Sequence, residues 1–200
     1  MAKNNICLLC NYRVGSTNTV KGLQAQGYGN NRWEVFGDAR KIYPTADNIN
    51  QGHSSHIQPI VESLKQGRNV YKLMGDQINF DMNVIEQLAE TSRFAYLFRE
   101  DFEAQVKSWV AWLTTGDHNH HYGENRNYNV DVTQEFFDAQ ADVLKRNYEF
   151  LEEVFKKYPG DILCLENFPT KRPYNRSYTW SFEPAMNVTY DTNKLKSLSQ

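Results

Sequence analysis

Short apolar runs alternate with amphipathic stretches along this chain. The apolar runs predict a buried strand at Asn5 to Cys10 and further strands at Asn69 to Met74, Phe94 to Phe98 and Asp161 to Leu165. The amphipathic stretches predict helices at Ser16 to Gln26, Ser55 to Gln66, Phe102 to Leu113 and Gln134 to Tyr158, with a further helix capped by Asp81. Because strands and helices alternate, we expect an α/β fold of three layers, with a central, mostly parallel sheet flanked by helices.

Two internal segments and the C-terminal tail lack this periodicity. Gly27 to Gly52 and Thr114 to Thr133 are polar and rich in asparagine, and we expect irregular loops there. From about residue 169 prolines interrupt the chain, and we expect this tail to be extended or irregular. Since long loops in compact domains are usually functional or mobile, we expect the two internal loops to shape a substrate site.

Composition narrows the functional classes. A chain of 200 residues with 40% apolar residues predicts one domain spanning 1–200, and a net charge of −2 excludes a general attraction to nucleic acid or anionic membranes. No apolar run approaches the ~20 residues that cross a bilayer, and the N-terminus lacks an apolar export segment. We therefore expect a cytoplasmic protein without a membrane span, and its cysteines, Cys7, Cys10 and Cys164, as reduced core thiols.

The segment from Cys10 to Thr19 follows the first predicted strand and leads into the first predicted helix. Successive backbone N–H groups and hydroxyls at Gly15, Ser16 and Thr17, with the positive end of a helix behind them, are typical of a phosphate site. Arg13 adds a cation. The loop lacks the Lys-Ser/Thr ending of nucleoside-triphosphate loops, so we expect a phosphate that does not come from ATP with magnesium.

A second candidate anion site follows the third predicted strand. Arg99 ends that strand, and Ser108 lies on the helix after it. Ligands of open α/β sheets bind beyond the carboxyl ends of the strands, so Arg99 and the Arg13 segment are expected on one edge. Two anion sites on one edge predict a ligand with two separated phosphates.

At these residues the chain resembles the sulfotransferases that use 3′-phosphoadenosine-5′-phosphosulfate. Arg13-Val14-Gly15-Ser16-Thr17 is similar to their Arg-Ser-Gly-Ser-Thr loop, and Tyr96-Leu97-Phe98-Arg99-Glu100-Asp101 through Ser108 to their 3′-phosphate motif. Weaker matches follow in the family's order: Glu34-Val35-Phe36, Tyr71-Lys72-Leu73-Met74 through Gln77, Ala111 through Gly116, and Leu165-Glu166-Asn167-Phe168. The chain departs from the family at Val14 and at Asn18-Thr19, is short for it, and shows no separate substrate domain.

The resemblance implies a P-loop-type fold and transfer of a sulfuryl group to a hydroxyl of a carbohydrate or small metabolite. It assigns the donor, whose product is adenosine 3′,5′-bisphosphate, to Arg13, Val14, Gly15, Ser16, Thr17, Asn18, Arg99 and Ser108. Arg13 would also act in catalysis by stabilising the departing 5′-phosphate. Glu34 would be the general base, with His53 and His56 as rivals. The chemistry requires no metal.

Other interpretations stay open. The chain could instead be a nucleotide or small-molecule kinase, or a non-catalytic nucleotide-binding protein, and homodimerisation is also open. Lys72 is interpreted as a strand-end lysine in solvent rather than a contact of the transferring group, and Trp109 and Trp112 as core residues. His118, His120 and His121 are interpreted as a solvated loop rather than a metal cluster. The basic residues Lys171, Arg172 and Arg176 would either close over the nucleotide or only solubilise the tail.

Overall fold

The computed structural model describes residues 4–33, 36, 58–115, 126–167 and 176–198. In chain order the strands are β1 (Asn5–Cys10), β2 (Asn30–Trp33), β3 (Asn69–Leu73), β4 (Ser92–Phe98), β5 (Arg126–Val130), β6 (Asp161–Cys164) and β7 (Arg176–Trp180). The helices are α1 (Ser16–Ala25), α2 (residues 58–65), α3 (Met82–Ala89), α4 (Phe102–Thr115), α5 (Gln134–Lys157) and α6 (Asn193–Ser197), with short 3-10 turns at Gly75–Ile78 and Leu165–Asn167.

A parallel sheet in the order β2-β3-β1-β4-β6 forms the centre of the molecule. Every residue of β1 is buried, as expected for a strand covered on both faces. Leu8 and Cys10 pack with Val20 of α1 on one face, whereas Leu9 lies in the core formed with α3, α4 and α5 on the other. The chain therefore has the three-layer α/β fold predicted from its sequence, with a central parallel sheet flanked by helices.

Local signals explain where the main helices begin. The Asp81 carboxylate accepts the Asn83 N–H at 2.8 Å and caps α3 as predicted. The Thr133 hydroxyl accepts the Phe136 N–H at 3.1 Å and caps α5. The apolar residues of α5, spaced by three and four, form one buried face that packs on the sheet layer. These caps and this periodicity are why the helix predictions were confirmed.

Strands occupy parts of the two internal segments that were predicted to be irregular loops, and those predictions were wrong there. β2 lies within the segment from Gly27 to Gly52, and the carboxyl half of the segment from Thr114 to Thr133 contains β5. The proline-containing tail, expected to be extended or irregular, holds the extended strand β7 and also the short helix α6. β5 and β7 pair with each other in parallel, and the rings of Tyr128 and Tyr178 lie 6.1 Å apart. Pairing between strands distant in sequence overrides their weak, polar local patterns.

The cysteines are buried, unbridged thiols, as predicted. Burial raises the pKa of the Cys7 thiol, which stays protonated in the core. Within the described ranges, no helix has both the length and the apolar character needed to cross a bilayer.

Gly15, which precedes α1, and Gly22, which lies within it, differ in whether their backbone accepts a side chain. Gly15 has φ +75°, and a Cβ there would lie 2.5 Å from Leu165 Cδ1, whereas a Cβ on Gly22 would meet no atom within 4 Å. Gly15→Ala is expected to lower the free energy of unfolding by about 1–2 kcal/mol, because L-residues resist left-handed backbone. The matched Gly22→Ala is expected to raise it by about 0.5–1 kcal/mol through helix propensity. Urea unfolding measures both, and stabilisation by both substitutions would contradict the left-handed conformation of Gly15.

Candidate anion-binding site

The loop that follows β1, residues 11–17, is anchored to the interior of the protein. We call it the Arg13 loop. Asn11 is fully buried, and its side-chain amide donates to the Leu144 carbonyl of α5 at 2.7 Å. Its other side-chain atom, Oδ1, accepts the Tyr12 N–H at 2.8 Å. Val14 buries its side chain in the core beneath α1. Asn11 and Val14 thus anchor the loop, and its polar groups lie at the carboxyl edge of the sheet.

The backbone of the loop is shaped to present N–H groups. Arg13 has φ 59° and Gly15 has φ 75°, so left-handed residues interrupt the turn into α1. The Gly15 carbonyl accepts the N–H groups of Asn18 and Thr19 at 3.0 and 3.2 Å. N–H groups that precede them have no acceptor inside the helix. Such a turn at a helix N-terminus forms a concave site that favours an anion.

The predicted donor-binding residues of this loop differ in what they can offer. Ser16 and Thr17 are partly exposed at the start of α1, with their hydroxyls near the loop. Val14 can contribute only its backbone because its side chain is in the core. Asn18 has an exposed side chain, and its N–H donates to Gly15. The geometry therefore gives Gly15, Ser16 and Thr17 the most direct access to a phosphate.

Lys72 was interpreted as a solvent-exposed strand-end lysine, and that interpretation is wrong. The residue is only 5% exposed, on the face of β3 that carries α1. Its Nζ donates to Thr17 Oγ1 at 3.1 Å. The strand register forces this position, because β3 pairs directly with β1 and the loop follows β1. A buried ammonium beside the positive end of a helix adds to the attraction for an anion.

Ser108 of α4 reaches the Arg13 loop. The Arg13 Nε donates to Ser108 Oγ at 3.1 Å, across a sequence separation of 95 residues. The same helix contributes Gln105, whose Nε2 donates to the Tyr12 carbonyl at 2.6 Å. The segment after β4 and the segment after β1 therefore share one edge of the sheet, as the strand pattern predicts.

Arg99 lies just beyond β4, at the neighbouring position on this edge. Its Nη1 donates to the Ala104 carbonyl at 3.4 Å, and its Nε lies 3.7 Å from Glu166 Oε1. Burial opposes ionisation of Glu166, but its carboxylate accepts the Glu100 N–H and the Cys164 thiol, and the pKa stays below its ordinary value. The Glu166 carboxylate therefore stays charged and orients the guanidinium.

Glu100, Cys164 and Glu166 place their ligand atoms within 4.8 Å of one another, in the manner of a metal site. Cations of the protein already occupy this position, because Lys196 Nζ lies 2.5 Å from Glu100 and Arg99 faces Glu166. Burial and the two carboxylates raise the pKa of the Cys164 thiol to about 12. A protonated thiol is a poor metal ligand, so this cluster is better explained as an ion-pair network.

The carboxylate of Asp76 lies next to the loop and was not predicted from the sequence. The Tyr12 hydroxyl donates to the Asp76 carboxylate, at 3.1 and 3.0 Å from its two oxygens, and the Asp76 N–H donates to Asn147. The Tyr12 ring stacks on Trp109 at 4.2 Å. Trp109 is buried and Trp112 packs against the core, as predicted. The position of Asp76 after a parallel strand was the available signal, but nothing in its neighbours marked it.

Several predicted residues lie outside the described part of the chain. They are Glu34, His53, His56, His118, His120, His121, Lys171 and Arg172. Phe36 of the Glu-x-Phe element is described and is fully buried, with its ring 6.4 Å from that of Tyr71. Arg176 begins β7.

The fold and this edge define the class: an α/β protein with a central parallel sheet and a candidate anion site after its first strand. No protein-family model matches the chain, and no curated protein matches it. Among solved structures it is similar to a gluconokinase from Sinorhizobium meliloti 1021, at 12% identity and a TM-score of 0.48, over 84% of this chain and 85% of that one.

Replacing Lys72 tests the anion site without assuming a particular ligand. Lys72→Met keeps a long, flexible side chain in the buried position and removes the charge. We expect the affinity for inorganic pyrophosphate to fall about tenfold or more, the usual effect of losing a charge-assisted hydrogen bond. The control is Lys65→Met, since Lys65 lies on the surface of α2 beside Glu62. Equal affinities in a calorimetric titration of the two variants would remove Lys72 from the site.

Proposed function

We propose that this protein is a sulfotransferase that moves a sulfuryl group from 3′-phosphoadenosine-5′-phosphosulfate to a hydroxyl of a carbohydrate or small metabolite. The observation that carries the proposal is the hydrogen bond from Arg13 to Ser108. The resemblance assigns these residues to opposite ends of one donor, Arg13 to the 5′-phosphosulfate and Ser108 to the 3′-phosphate. Their contact brings the two motifs together at one edge of the sheet. This proximity supports a single bound nucleotide that reaches both motifs. A cytoplasmic location and assembly as a homodimer stay predictions.

In this proposal the Arg13 loop and the edge near Arg99 hold different parts of the donor. Backbone N–H groups from Gly15 to Thr17 bind the 5′-phosphosulfate at the start of α1. Lys72, buried against Thr17, adds charge on the same side. Arg99 and Ser108 bind the 3′-phosphate and fix the register of the nucleotide. In this proposal these cationic groups supply local positive charge for the two phosphates, although the net charge of the chain is −2.

The transfer itself is an in-line displacement at sulfur. The acceptor oxygen forms a bond to sulfur, the bond from sulfur to the 5′-phosphate oxygen breaks, and adenosine 3′,5′-bisphosphate leaves. Arg13 and Lys72 stabilise the charge that develops on the leaving oxygen, in a site positioned before reaction. Glu34 accepts the proton of the acceptor hydroxyl, with His53 and His56 as the alternative bases.

A small-molecule kinase is the second candidate, and Asp76 is the observation that favours it. Its partly buried carboxylate lies beside the loop, held by the Tyr12 hydroxyl. A carboxylate near bound phosphates can hold Mg²⁺ for a nucleoside triphosphate. The absence of a Lys-Ser/Thr ending in the loop counts against this candidate.

Calorimetry with adenosine 3′,5′-bisphosphate, ADP and ATP with magnesium tests the proposal. We expect the bisphosphate to bind most tightly, and Arg99→Ala to weaken it by about 1.5–3 kcal/mol through the lost charge-assisted hydrogen bond. Arg93→Ala is the matched control, because Arg93 is an exposed arginine near the opposite end of the same strand. It should leave the affinity unchanged.

The other outcomes of this titration have definite meanings. A preference for ATP with magnesium would favour the kinase. Equal affinities of Arg99→Ala and Arg93→Ala would remove the 3′-phosphate assignment. Intact bisphosphate binding with no turnover by the wild type in an acceptor screen would indicate a non-catalytic nucleotide-binding protein.

The proposed base is tested by Glu34→Gln. We expect release of adenosine 3′,5′-bisphosphate in the presence of an active acceptor to slow by about 10²–10⁴-fold, the usual contribution of general base catalysis. Donor affinity should stay the same, because the amide keeps the size of the side chain. His53→Gln and His56→Gln are the comparison variants. Full activity of Glu34→Gln, with loss in one histidine variant, would assign the base to that histidine.

A further inference from the structure

A buried chain of hydrogen bonds links the Arg13 loop to the backbone at Arg99. The Gln105 side chain donates through Nε2 to the Tyr12 carbonyl at 2.6 Å. Its Oε1 accepts the Tyr148 hydroxyl at 2.6 Å. The Tyr148 oxygen in turn accepts the Arg99 N–H at 3.1 Å. Two side chains therefore bridge the segments that carry the two candidate phosphate sites.

Burial makes this bridge stiff. Both Gln105 and Tyr148 have 0% exposure, so water does not replace a broken bond at low cost. Burial also raises the pKa of Tyr148, and its hydroxyl keeps the proton that it donates to Gln105. A shift of the loop relative to Arg99 would break a bond between groups that have lost their hydration. The network resists such a shift more strongly than exposed contacts would.

The loop is also held at more than one point by the same helix. Gln105 and Ser108 are three positions apart on α4 and therefore share a face. The first binds the Tyr12 carbonyl and the second binds the Arg13 side chain. Tyr148 comes from α5, and Tyr190 stacks on its ring at 4.9 Å. Neither Gln105 nor Tyr148 is assigned to a phosphate, so their buried bonds call for a different role.

We infer that Gln105 and Tyr148 are positioning residues that fix the separation between the Arg13 loop and Arg99, and so select a nucleotide with two phosphates at that separation. The inference rests on the proposed function, because it takes the two segments as sites for one bisphosphate. In this inference Gln105 and Tyr148 determine which nucleotide binds without contacting it. Selectivity arises because only a correctly spaced bisphosphate gains from both sites at once.

The physical basis is preorganisation. When two sites are held at the right distance, binding at one places the second phosphate at the other without further ordering. If the spacing is loosened, a ligand with one phosphate loses little affinity. A bisphosphate loses more affinity, because its second phosphate no longer makes its full contact. The measurable quantity is thus the ratio of affinities for adenosine 3′,5′-bisphosphate and adenosine 5′-monophosphate.

Calorimetry with these two nucleotides would be carried out on the wild type, Tyr148→Phe and Gln105→Met. We expect the affinity ratio to fall about three- to tenfold in either variant, because each substitution removes hydrogen bonds of the bridge. The matched control is Tyr71→Phe, since Tyr71 is also fully buried and its hydroxyl lies 2.9 Å from Ser92 Oγ, within the core. Its ratio should equal that of the wild type.

Thermal unfolding of each variant separates specificity from stability. A purely structural role predicts lower melting temperatures in Tyr148→Phe and Tyr71→Phe alike, with the same affinity ratio as the wild type, and this result would overturn the inference. Gln105→Met provides the same comparison if Tyr148→Phe does not fold. If the wild type itself binds both nucleotides equally, both the inference and the proposed function fail. A wild-type preference that persists in both variants overturns the inference alone.

Discussion

The parallel pairing of β1 with β3 on one side and β4 on the other is the constraint on which the rest of the structure depends. Each of these strands ends at the same edge, so the segments that follow them must meet there. The chain cannot bury a parallel strand without covering both of its faces, and α1 must therefore turn back immediately after β1. The Arg13 loop results from this requirement.

Charge follows from the same arrangement. The chain is slightly acidic overall, yet Arg13, Lys72 and Arg99 are brought to one edge by three different strands. Each cation is held by a defined acceptor: Ser108 for Arg13, Thr17 for Lys72, and Glu166 for Arg99. Cations held in this way attract an anion without reorganising when it arrives.

Much of the fold could be predicted because its local signals agree with its tertiary contacts. β1 is a continuous apolar run, α5 has a regular apolar face, and Asp81 is a standard cap. β2, β5 and β7 could not be predicted in the same way, since their residues are polar and mixed. Their strand conformation comes from pairing with distant segments, which a local pattern does not contain.

The candidate site was predictable to a similar degree. Arg13 and Arg99 stand at strand ends, where position alone indicates a role, and the structure brings Ser108 to Arg13. Lys72 was misinterpreted because a lysine in a strand is usually exposed, and its burial depends on the register of β3 against β1. Asp76 was missed because its contact with Tyr12 joins two loops. Contacts between loops leave no periodic signal in either segment.

The strained backbone of Arg13 is stabilised by contacts with a neighbouring helix. A non-glycine residue at φ 59° is disfavoured, and such a conformation persists only where neighbouring contacts impose it. Here Gln105 binds the carbonyl of Tyr12, the residue before Arg13, and Ser108 binds the Arg13 side chain itself. Both come from α4, so one helix holds the strained residue through its preceding peptide and through its side chain. The direction of the guanidinium is therefore set by the fold, before any ligand is present.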